Sequence, residues 1–171
     1  MKNKKFIWIS LSITFLLIIT LFLYLSSFVQ PKIIFTAQID KISNEDYKRI
    51  MNNAQVMSSD KGIEKFRHIN MHIKIITPFA IINHAKIEND PLQQYFIQPY
   101  LKGNTKIQIL SGGGFAQGNG MEYAENEEIY MKNISEDELK NILGDLKVKV
   151  LWQNIWNKKD NKIFYLKDYL K

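Results

Sequence analysis

Four glutamates lie within seven residues of this chain, at Glu122, Glu125, Glu127 and Glu128. Paired carboxylates can serve as acid and base in glycoside hydrolysis, and clustered carboxylate oxygens can bind calcium. The spacing matches no EF-hand loop, and closely spaced acids without a specific motif are usually a solvated edge. We therefore interpret the segment as a solvated edge and assign no catalytic residue, with calcium binding and acid-base catalysis as the alternatives.

Two histidines have the spacing of metal ligands on one helix face, because His68 and His72 are four residues apart. The residues around them alternate between apolar and polar, which predicts a strand instead. On a strand the two positions share a face but stand roughly 13 Å apart, too far for one ion. Only His84, in the next predicted strand, could pair with either of them. We therefore predict no metal site and no cofactor.

The segment 111–120 contains five of the eight glycines of the chain, which predicts a mobile loop. Such loops can bind phosphate, but a P-loop requires Lys and Ser or Thr after its last glycine, where this chain has Met121 and Glu122. We therefore expect a binding loop of another kind, presented by a rigid domain. Its predicted contact residues are Gly112, Gly113, Gly114, Phe115, Glu122, Tyr123 and Glu125. The next candidates for binding contacts are aromatic residues of a second predicted loop, 92–104: Tyr95, Phe96 and Tyr100.

Strand-like patterns recur along most of the sequence after residue 31. Alternating or β-branched runs predict about seven strands, at 33–42, 68–77, 79–88, 105–111, 128–133, 146–153 and 162–170. Helical spacing predicts a helix over 45–57, and Ser135 with Glu138 forms a capping box for a short helix that ends at Gly144. Since regular crossover helices are missing from the pattern, we predict a mainly β fold, an antiparallel immunoglobulin-like sandwich with one or two short helices. An open antiparallel sheet covered by the longer helix is the alternative.

Residues 6–29 contain no charged residue and no Asn, Gln or His. As a helix this stretch would be roughly 36 Å long, against roughly 30 Å of bilayer hydrocarbon, so we predict a single transmembrane helix. Its hydroxyl groups can bond to a carbonyl one turn earlier, which leaves no polar group unsatisfied in lipid. The residues predicted to lie at the membrane interfaces are Lys4, Lys5, Trp8 and Tyr24.

The charges that flank the apolar stretch predict its orientation. Three lysines lie within the first five residues, whereas Gln30 and Pro31 follow the stretch. The positive-inside bias therefore predicts a cytoplasmic tail at 1–5, a signal anchor at 6–29 and an extracytoplasmic β-rich domain at 30–171. A cleaved signal peptide is the alternative, but it would have a shorter apolar region and a small-residue cleavage pattern. We expect a single-pass protein of the cell membrane whose anchor has the lipid bilayer as its partner.

Composition narrows the classes of function further. The chain has no cysteine, which excludes disulfides, thiolate zinc sites and thiol nucleophiles and fits an outside domain on a bacterial surface. Three of its 23 basic residues precede the predicted anchor and all 17 acidic residues follow it, so the outer domain carries 20 basic and 17 acidic residues. Without a basic stripe, this near balance predicts no nucleic-acid binding.

These features predict a non-enzymatic, single-pass surface protein whose outer domain binds a protein or a cell-wall polymer next to the membrane. One alternative is an accessory subunit, in which the anchor packs against a larger membrane complex. The other alternative is a cell-wall hydrolase that uses the glutamates of the acidic segment.

Overall fold

The computed structural model describes residues 2–26, 28–52, 62–77, 82–88, 96–117 and 121–170. Within these ranges the chain forms seven β-strands, and most of them follow segments in which apolar residues alternate with polar ones. The strands are β1 (Lys32–Lys41), β2 (Phe66–Ile76), β3 (Ile82–Glu88), β4 (Ile107–Gln117), β5 (Glu122–Met131), β6 (Lys147–Asn154) and β7 (Lys159–Tyr165).

Four α-helices accompany the strands in the described residues, and one of them precedes the domain. They are α1 (Lys2–Ser26), α2 (Asn44–Asn52), α3 (Ile97–Leu101) and α4 (Glu136–Gly144). The hydroxyl of Ser135 accepts a hydrogen bond from the Glu138 N–H at 3.2 Å, so the predicted cap of α4 is confirmed. The part of the predicted helix 45–57 that follows α2 lies outside the described residues.

The strands form two sheets. One sheet has four strands in the order β1-β2-β5-β4, and the other has three in the order β3-β6-β7. Every strand pair within the two sheets is antiparallel. The prediction of a mainly β, antiparallel architecture with few helices and one apolar helix at the start is therefore confirmed.

The apolar core lies between the inner faces of the two sheets. Alternate residues of β2 are buried in it, with Ile69 and Ile73 at 0% exposure, and Val148 and Val150 of β6 meet them from the other sheet. Because successive side chains of a strand point to opposite faces, this pattern also defines an outer face for each sheet. A smaller apolar cluster lies on the outer face of the four-stranded sheet, where α2 covers one end of it: Ile42, Ile50, Phe66 and Tyr130.

The side chains of α1 are exposed from residue 7 to residue 25. Its segment Ile7–Ser26 has a mean hydropathy of 2.3 and is long and apolar enough to cross a membrane, and none of its apolar window is buried. The Ser12 and Thr20 hydroxyls donate to the carbonyls of Trp8 and Leu16 at 2.9 and 2.8 Å, one turn earlier, as predicted. Of the predicted interface residues, Trp8 and Tyr24 are exposed on α1, and the side chains of Lys4 and Lys5 lie outside the described residues.

The prediction of a mobile glycine loop over 111–120 is wrong for the part that the structure describes. Strand β4 runs through glycines 112–114 to Gln117 and pairs with β5 up to that residue. Gly112 lies opposite Glu127, whose carboxyl group occupies the space that a Cβ on Gly112 would need. Here glycine makes room for a neighbour on the next strand and does not mark a loop. Residues 118–120 lie outside the described residues.

Candidate functional site: the outer face of the four-stranded sheet

A row of amide side chains crosses the outer face of the four-stranded sheet. Gln38 of β1 is in register with Asn70 of β2, which is in register with Asn126 of β5. Gly113 continues the row on β4. Because alternate residues of these strands enter the core, all four positions lie on the opposite, outer face. The sheet therefore presents three amides side by side, with no side chain at the β4 end of the row.

A second row lies two residues away from the first, earlier along β1 and β5 and later along β2 and β4. It consists of Thr36, His72, Ala124 and Phe115, which are in register across the sheet. Ala124 has only a methyl group, which leaves space between His72 and Phe115. The Phe115 ring is 54% exposed. An exposed aromatic ring therefore stands beside the amide row.

The two rows line a groove of about 740 Å³ on this face. Residues 168–170 of the C-terminal segment border the groove next to β1, where Leu170 forms a bridge with Ala37. Phe115 stands near the other border, on edge strand β4. The volume lies within the range of about 300–1,000 Å³ that is usual for small-molecule sites. A ligand lying across the strands could contact the amide row and the Phe115 ring together.

The amides of the row keep hydrogen-bonding capacity. Gln38 and Asn70 each donate an N–H to Asp40, at 2.6 and 3.3 Å. Asn126 Oδ1 lies 3.3 Å from His68 Nδ1 and accepts from it when that nitrogen is protonated. Two side-chain oxygens, those of Gln38 and Asn70, make no hydrogen bond among the described residues. The side-chain NH2 group of Asn126 makes none there either. The row thus offers two amide oxygens as acceptors, and one amide NH2 group with two N–H donors, to a ligand.

The described residues that line the groove carry no excess of positive charge. Among its lining residues that the structure describes, the acids are Glu125 and Asp168 and the only basic residue is His72, without a lysine or arginine. The Glu125 side chain is directed to the interior, where the residue is 2% exposed. His72 Nε2 lies 2.9 Å from Glu122 Oε1, and this hydrogen bond lowers the pKa of Glu122. A polyanion would therefore meet no lysine or arginine among the described lining residues to offset its charge.

A charged cluster lies at the α2 end of the same face. It comprises Asp46 and Arg49 of α2 and His68 and Glu128 of the sheet. Arg49 pairs with Glu128 and, at 3.2 Å, with Asp46, while Ser111 donates its hydroxyl to Glu128. Hydrogen bonds from Ser43 and then Arg49 lower the pKa of Asp46. These contacts connect α2 to the sheet.

Three members of this cluster have the geometry of metal ligands. Ligand atoms of Asp46, His68 and Glu128 lie within 4.8 Å of one another. The guanidinium of Arg49 already pairs with both carboxylates, so the cluster has its cation within the chain. His84, the only partner that the sequence offered to His68 or His72, lies on β3 in the other sheet. We therefore assign the cluster a structural role.

The acidic segment is not a solvated edge, so that interpretation is wrong. Glu125, Glu127 and Glu128 are 2%, 0% and 6% exposed. Glu125 and Glu127 face the interior, whereas Glu122 and Glu128 lie on the outer face, six residues or roughly 20 Å apart. The four carboxylates therefore do not converge on a single calcium ion.

Glu125 caps a helix that the sequence did not predict. The N–H groups of Phe96 and Ile97 donate to its carboxylate at 2.8 and 2.9 Å, and the Tyr123 hydroxyl donates at 2.7 Å. These donors explain how the carboxylate is tolerated at 2% exposure. The capped helix is α3, so the prediction of a loop over 92–104 is wrong for Ile97–Leu101.

Glu127 lies beside this cap and is fully buried. Gln98 donates its amide N–H to the two carboxyl oxygens of Glu127 at 2.9 and 3.2 Å. Burial raises the pKa of Glu127 to about 7, and the neighbouring charge of Glu125 adds to the rise. Such a pair could exchange a proton, but at 0% and 2% exposure neither residue is open to a substrate in the groove.

The predicted binding residues are divided between the two faces of the sheet. Gly113 and Phe115 line the groove, and Glu122 lies beside it. Tyr123 and Glu125 are buried at 3% and 2% exposure and face the interior. Glycines 112 and 114 lie in the paired part of β4.

The aromatic residues of the second predicted loop are also fixed in place where they are described. Phe96 packs edge-on against Tyr123 with the ring centroids 5.0 Å apart. The Tyr100 hydroxyl donates to the Ile142 carbonyl at 2.8 Å, and Tyr95 lies outside the described residues. Phe96 is partly buried by this packing, whereas the Tyr100 ring remains 40% exposed.

Sequence reasoning missed the amide row. Gln38 and Asn70 lie in two predicted strands, whereas Asn126 precedes the predicted strand 128–133 and belongs to β5 only in the structure. The available signal was the residue type, because amides at the polar positions of separate strands can meet only if the register aligns them. Comparison of the chain with protein-family models, curated proteins and solved structures found no significant match.

Proposed function

We propose that this chain is a membrane-anchored, non-enzymatic binding protein that holds an uncharged glycan of the cell envelope in the groove of its four-stranded sheet. The observation that carries this proposal is the row of amides beside the exposed Phe115 ring. Sugar hydroxyls both donate and accept hydrogen bonds, and amides match them in both roles. The apolar C–H face of a sugar ring can pack on an aromatic side chain such as Phe115.

The charge of the groove supports an uncharged polymer over an anionic one. Its lining residues include no lysine or arginine among those described, and Asp168 stands at its β1 border. A phosphate-rich polymer would bring negative charge to this border without compensation. The proposal is also non-enzymatic because the buried Glu125 and Glu127 are occupied by contacts inside the domain.

The helix at the start of the chain supports the membrane location. Segment Ile7–Ser26 of α1 has the length and the hydropathy of a membrane span, and three lysines precede it in the sequence. In this proposal the residues before the span are cytoplasmic and the β-rich domain is extracytoplasmic. A position next to the membrane would present the groove to the glycan layer of the envelope.

The strand order supports an immunoglobulin-like arrangement for the domain. Seven strands in the orders β1-β2-β5-β4 and β3-β6-β7 correspond to the ABED and CFG sheets of a constant-type immunoglobulin domain. Such domains commonly act in recognition, although a fold of this kind hosts many functions. The glycan assignment therefore depends on the groove.

Calorimetric titration of the full-length chain in lipid nanodiscs tests the proposal. Chitohexaose serves as the uncharged probe and poly(glycerol phosphate) as the anionic probe. We expect heat of binding from chitohexaose only, and a loss of affinity of about tenfold in Asn126→Ala, because one hydrogen bond in the groove is lost. Asn161→Ala, at an exposed position of β7 in the other sheet, is the matched control and should bind as the wild type does.

Three outcomes would contradict the proposal. The first is that no uncharged oligosaccharide binds. The second is that poly(glycerol phosphate) or an unstructured peptide binds more tightly than chitohexaose. The third is that Asn126→Ala and Asn161→Ala bind chitohexaose equally well, which would place the ligand elsewhere on the domain.

A further inference from the structure

The turn between β6 and β7 is held in one conformation by a buried asparagine. Asn154 is 3% exposed, and its side-chain oxygen accepts the N–H groups of Trp156 and Lys158, each at 3.0 Å. Its backbone N–H donates to the Lys158 carbonyl at 3.1 Å, and its carbonyl accepts from the Asn157 N–H at 3.0 Å. Asn157 has a φ of 60°, which asparagine tolerates better than most residues. The turn therefore presents its side chains in fixed positions.

This turn contacts the end of the apolar helix. The indole N–H of Trp156 donates to the Ser26 hydroxyl oxygen at 3.1 Å, across 130 residues of sequence. Lys158 Nζ lies 5.5 Å from the centroid of the Phe28 ring, just beyond the helix. Ser26 is 3% exposed, although the rest of the apolar segment is open. The β6–β7 turn therefore lies at the level where α1 ends.

The exposed side chains of the turn suit a lipid headgroup region. The Trp156 ring is 44% exposed, and tryptophan is enriched at the boundary between hydrocarbon and water. Lys158 and Lys159 follow it and are exposed, with Asp160 as the next residue. A lysine ammonium close to a membrane surface is attracted by anionic lipid phosphates.

We propose that the β6–β7 turn is a second membrane contact, in which Trp156 enters the headgroup region and Lys158 and Lys159 bind anionic lipid phosphates. This inference rests on the membrane anchoring in the proposed function and is independent of glycan binding. The contact at Ser26 makes the turn continuous with the helix, so the two contacts together would fix the tilt of the domain on the membrane. The amide groove would then keep a constant orientation to the bilayer.

Because the chain contains no cysteine, single labels can test this arrangement in the full-length protein. A nitroxide on Ile155→Cys reports the depth of the turn in nanodiscs, while Leu16→Cys in the middle of Ile7–Ser26 reports the anchor and Glu45→Cys on α2 reports the far part of the domain. Depth is measured as the ratio of oxygen to nickel-chelate accessibility. We expect lipid-like accessibility at 16, interfacial accessibility at 155, and aqueous accessibility at 45.

Second-site variants test the role of the named residues. Trp156→Ala should move the label at 155 into water, and Ser26→Ala should move it in the same direction by removing the hydrogen-bond acceptor without changing the turn itself. The double variant Lys158→Glu, Lys159→Glu should also move the label at 155 into water, in nanodiscs that contain phosphatidylglycerol. Tyr165→Ala, at the other end of β7, is the matched control and should leave the label in place. Thermal unfolding of each variant verifies that the domain is folded.

The outcomes separate this inference from the anchoring. Lipid-like accessibility at 16 with aqueous accessibility at 155 would overturn the membrane contact of the turn and leave the anchor intact. Aqueous accessibility at both positions would overturn the anchoring and the inference together. An interfacial label at 155 that does not respond to Trp156→Ala would overturn the role of the indole ring.

Discussion

Gly112 and Glu127 face each other across the β4–β5 pair, and a Cβ on Gly112 would collide with Oε2 of Glu127. The carboxyl group is 0% exposed and accepts hydrogen bonds from Gln98. It therefore has no open space into which it could move. The glycine and the buried acid depend on each other, although fifteen residues of sequence separate them.

Gly112→Ala should destabilise the protein because the added methyl group meets this buried carboxyl group. We expect a decrease of about 1–3 kcal/mol in the free energy of unfolding, measured by urea denaturation. Gly113→Ala is the matched control, since nothing lies within 4 Å of its Cβ position, and it should change stability by at most about 0.5 kcal/mol. Equal effects at the two glycines would show that the Glu127 contact is not the cause.

Glu127 should make the stability of the domain depend on pH. Its pKa is about 7 in the folded protein, against about 4.3 in an unfolded chain, so the folded state holds the additional proton between these values. The free energy of unfolding should therefore fall by roughly 2–3 kcal/mol as the pH rises from about 4.5 to about 7. Glu127→Gln has no proton to lose and should show a flatter profile. Parallel profiles of the wild type and Glu127→Gln in urea unfolding would contradict this prediction.

Arg49→Ala should weaken the attachment of α2 to the sheet. The Glu128 side chain is 8% exposed and would lose its cationic partner, so the urea midpoint should fall. Lys48→Ala changes an exposed neighbour on the same helix and controls for helix propensity. The comparison uses urea midpoints at pH 8. If both substitutions have the same effect, the Arg49–Glu128 ion pair contributes nothing measurable.

The same variant should acquire a response to divalent cations. Without Arg49, the ligand atoms of Asp46, His68 and Glu128 keep their spacing within 4.8 Å but have no cation. Millimolar manganese should therefore raise the urea midpoint of Arg49→Ala and leave that of the wild type unchanged. An equal rise in both proteins would show that Arg49 does not take the place of a metal ion.

Phe115→Ala should weaken glycan binding without affecting stability. The ring is 54% exposed, so its removal costs little packing, whereas a sugar face would lose its contact. We expect chitohexaose affinity to fall about two- to tenfold in calorimetry, with an unchanged urea midpoint. Tyr165→Ala removes an exposed ring from the other sheet and should retain the wild-type affinity. A loss of affinity in both variants would indicate a general effect of surface aromatic residues.

Strands with a clear alternation could be predicted from sequence. Successive side chains of a strand point to opposite faces, so the apolar residue at every second position is the one that is buried. Ile69 and Ile73 of β2 and Val148 and Val150 of β6 have an inward position every second residue, and all four are 0% exposed. The helix cap at Ser135 and the apolar helix could also be predicted from sequence, since each depends on residues close together in the chain. The register that aligns the amides of Gln38, Asn70 and Asn126 could not be derived, because it depends on how separate strands pair.

The sequence by itself determined where the chain alternates, where it can span a membrane and that it has no thiol chemistry, since these follow from residue type and local period. Only the tertiary structure decided which acids are buried and whether the glycines form a loop. Glu125 can be buried because Phe96 and Ile97, distant in the chain, supply N–H donors to it. Glycines 112–114 belong to a strand because β5 pairs with them and Glu127 needs the space at Gly112. The free-energy cost of burying a charge, or of holding several glycines in a strand, depends on neighbours that are distant in the sequence. A local sequence pattern does not contain those neighbours.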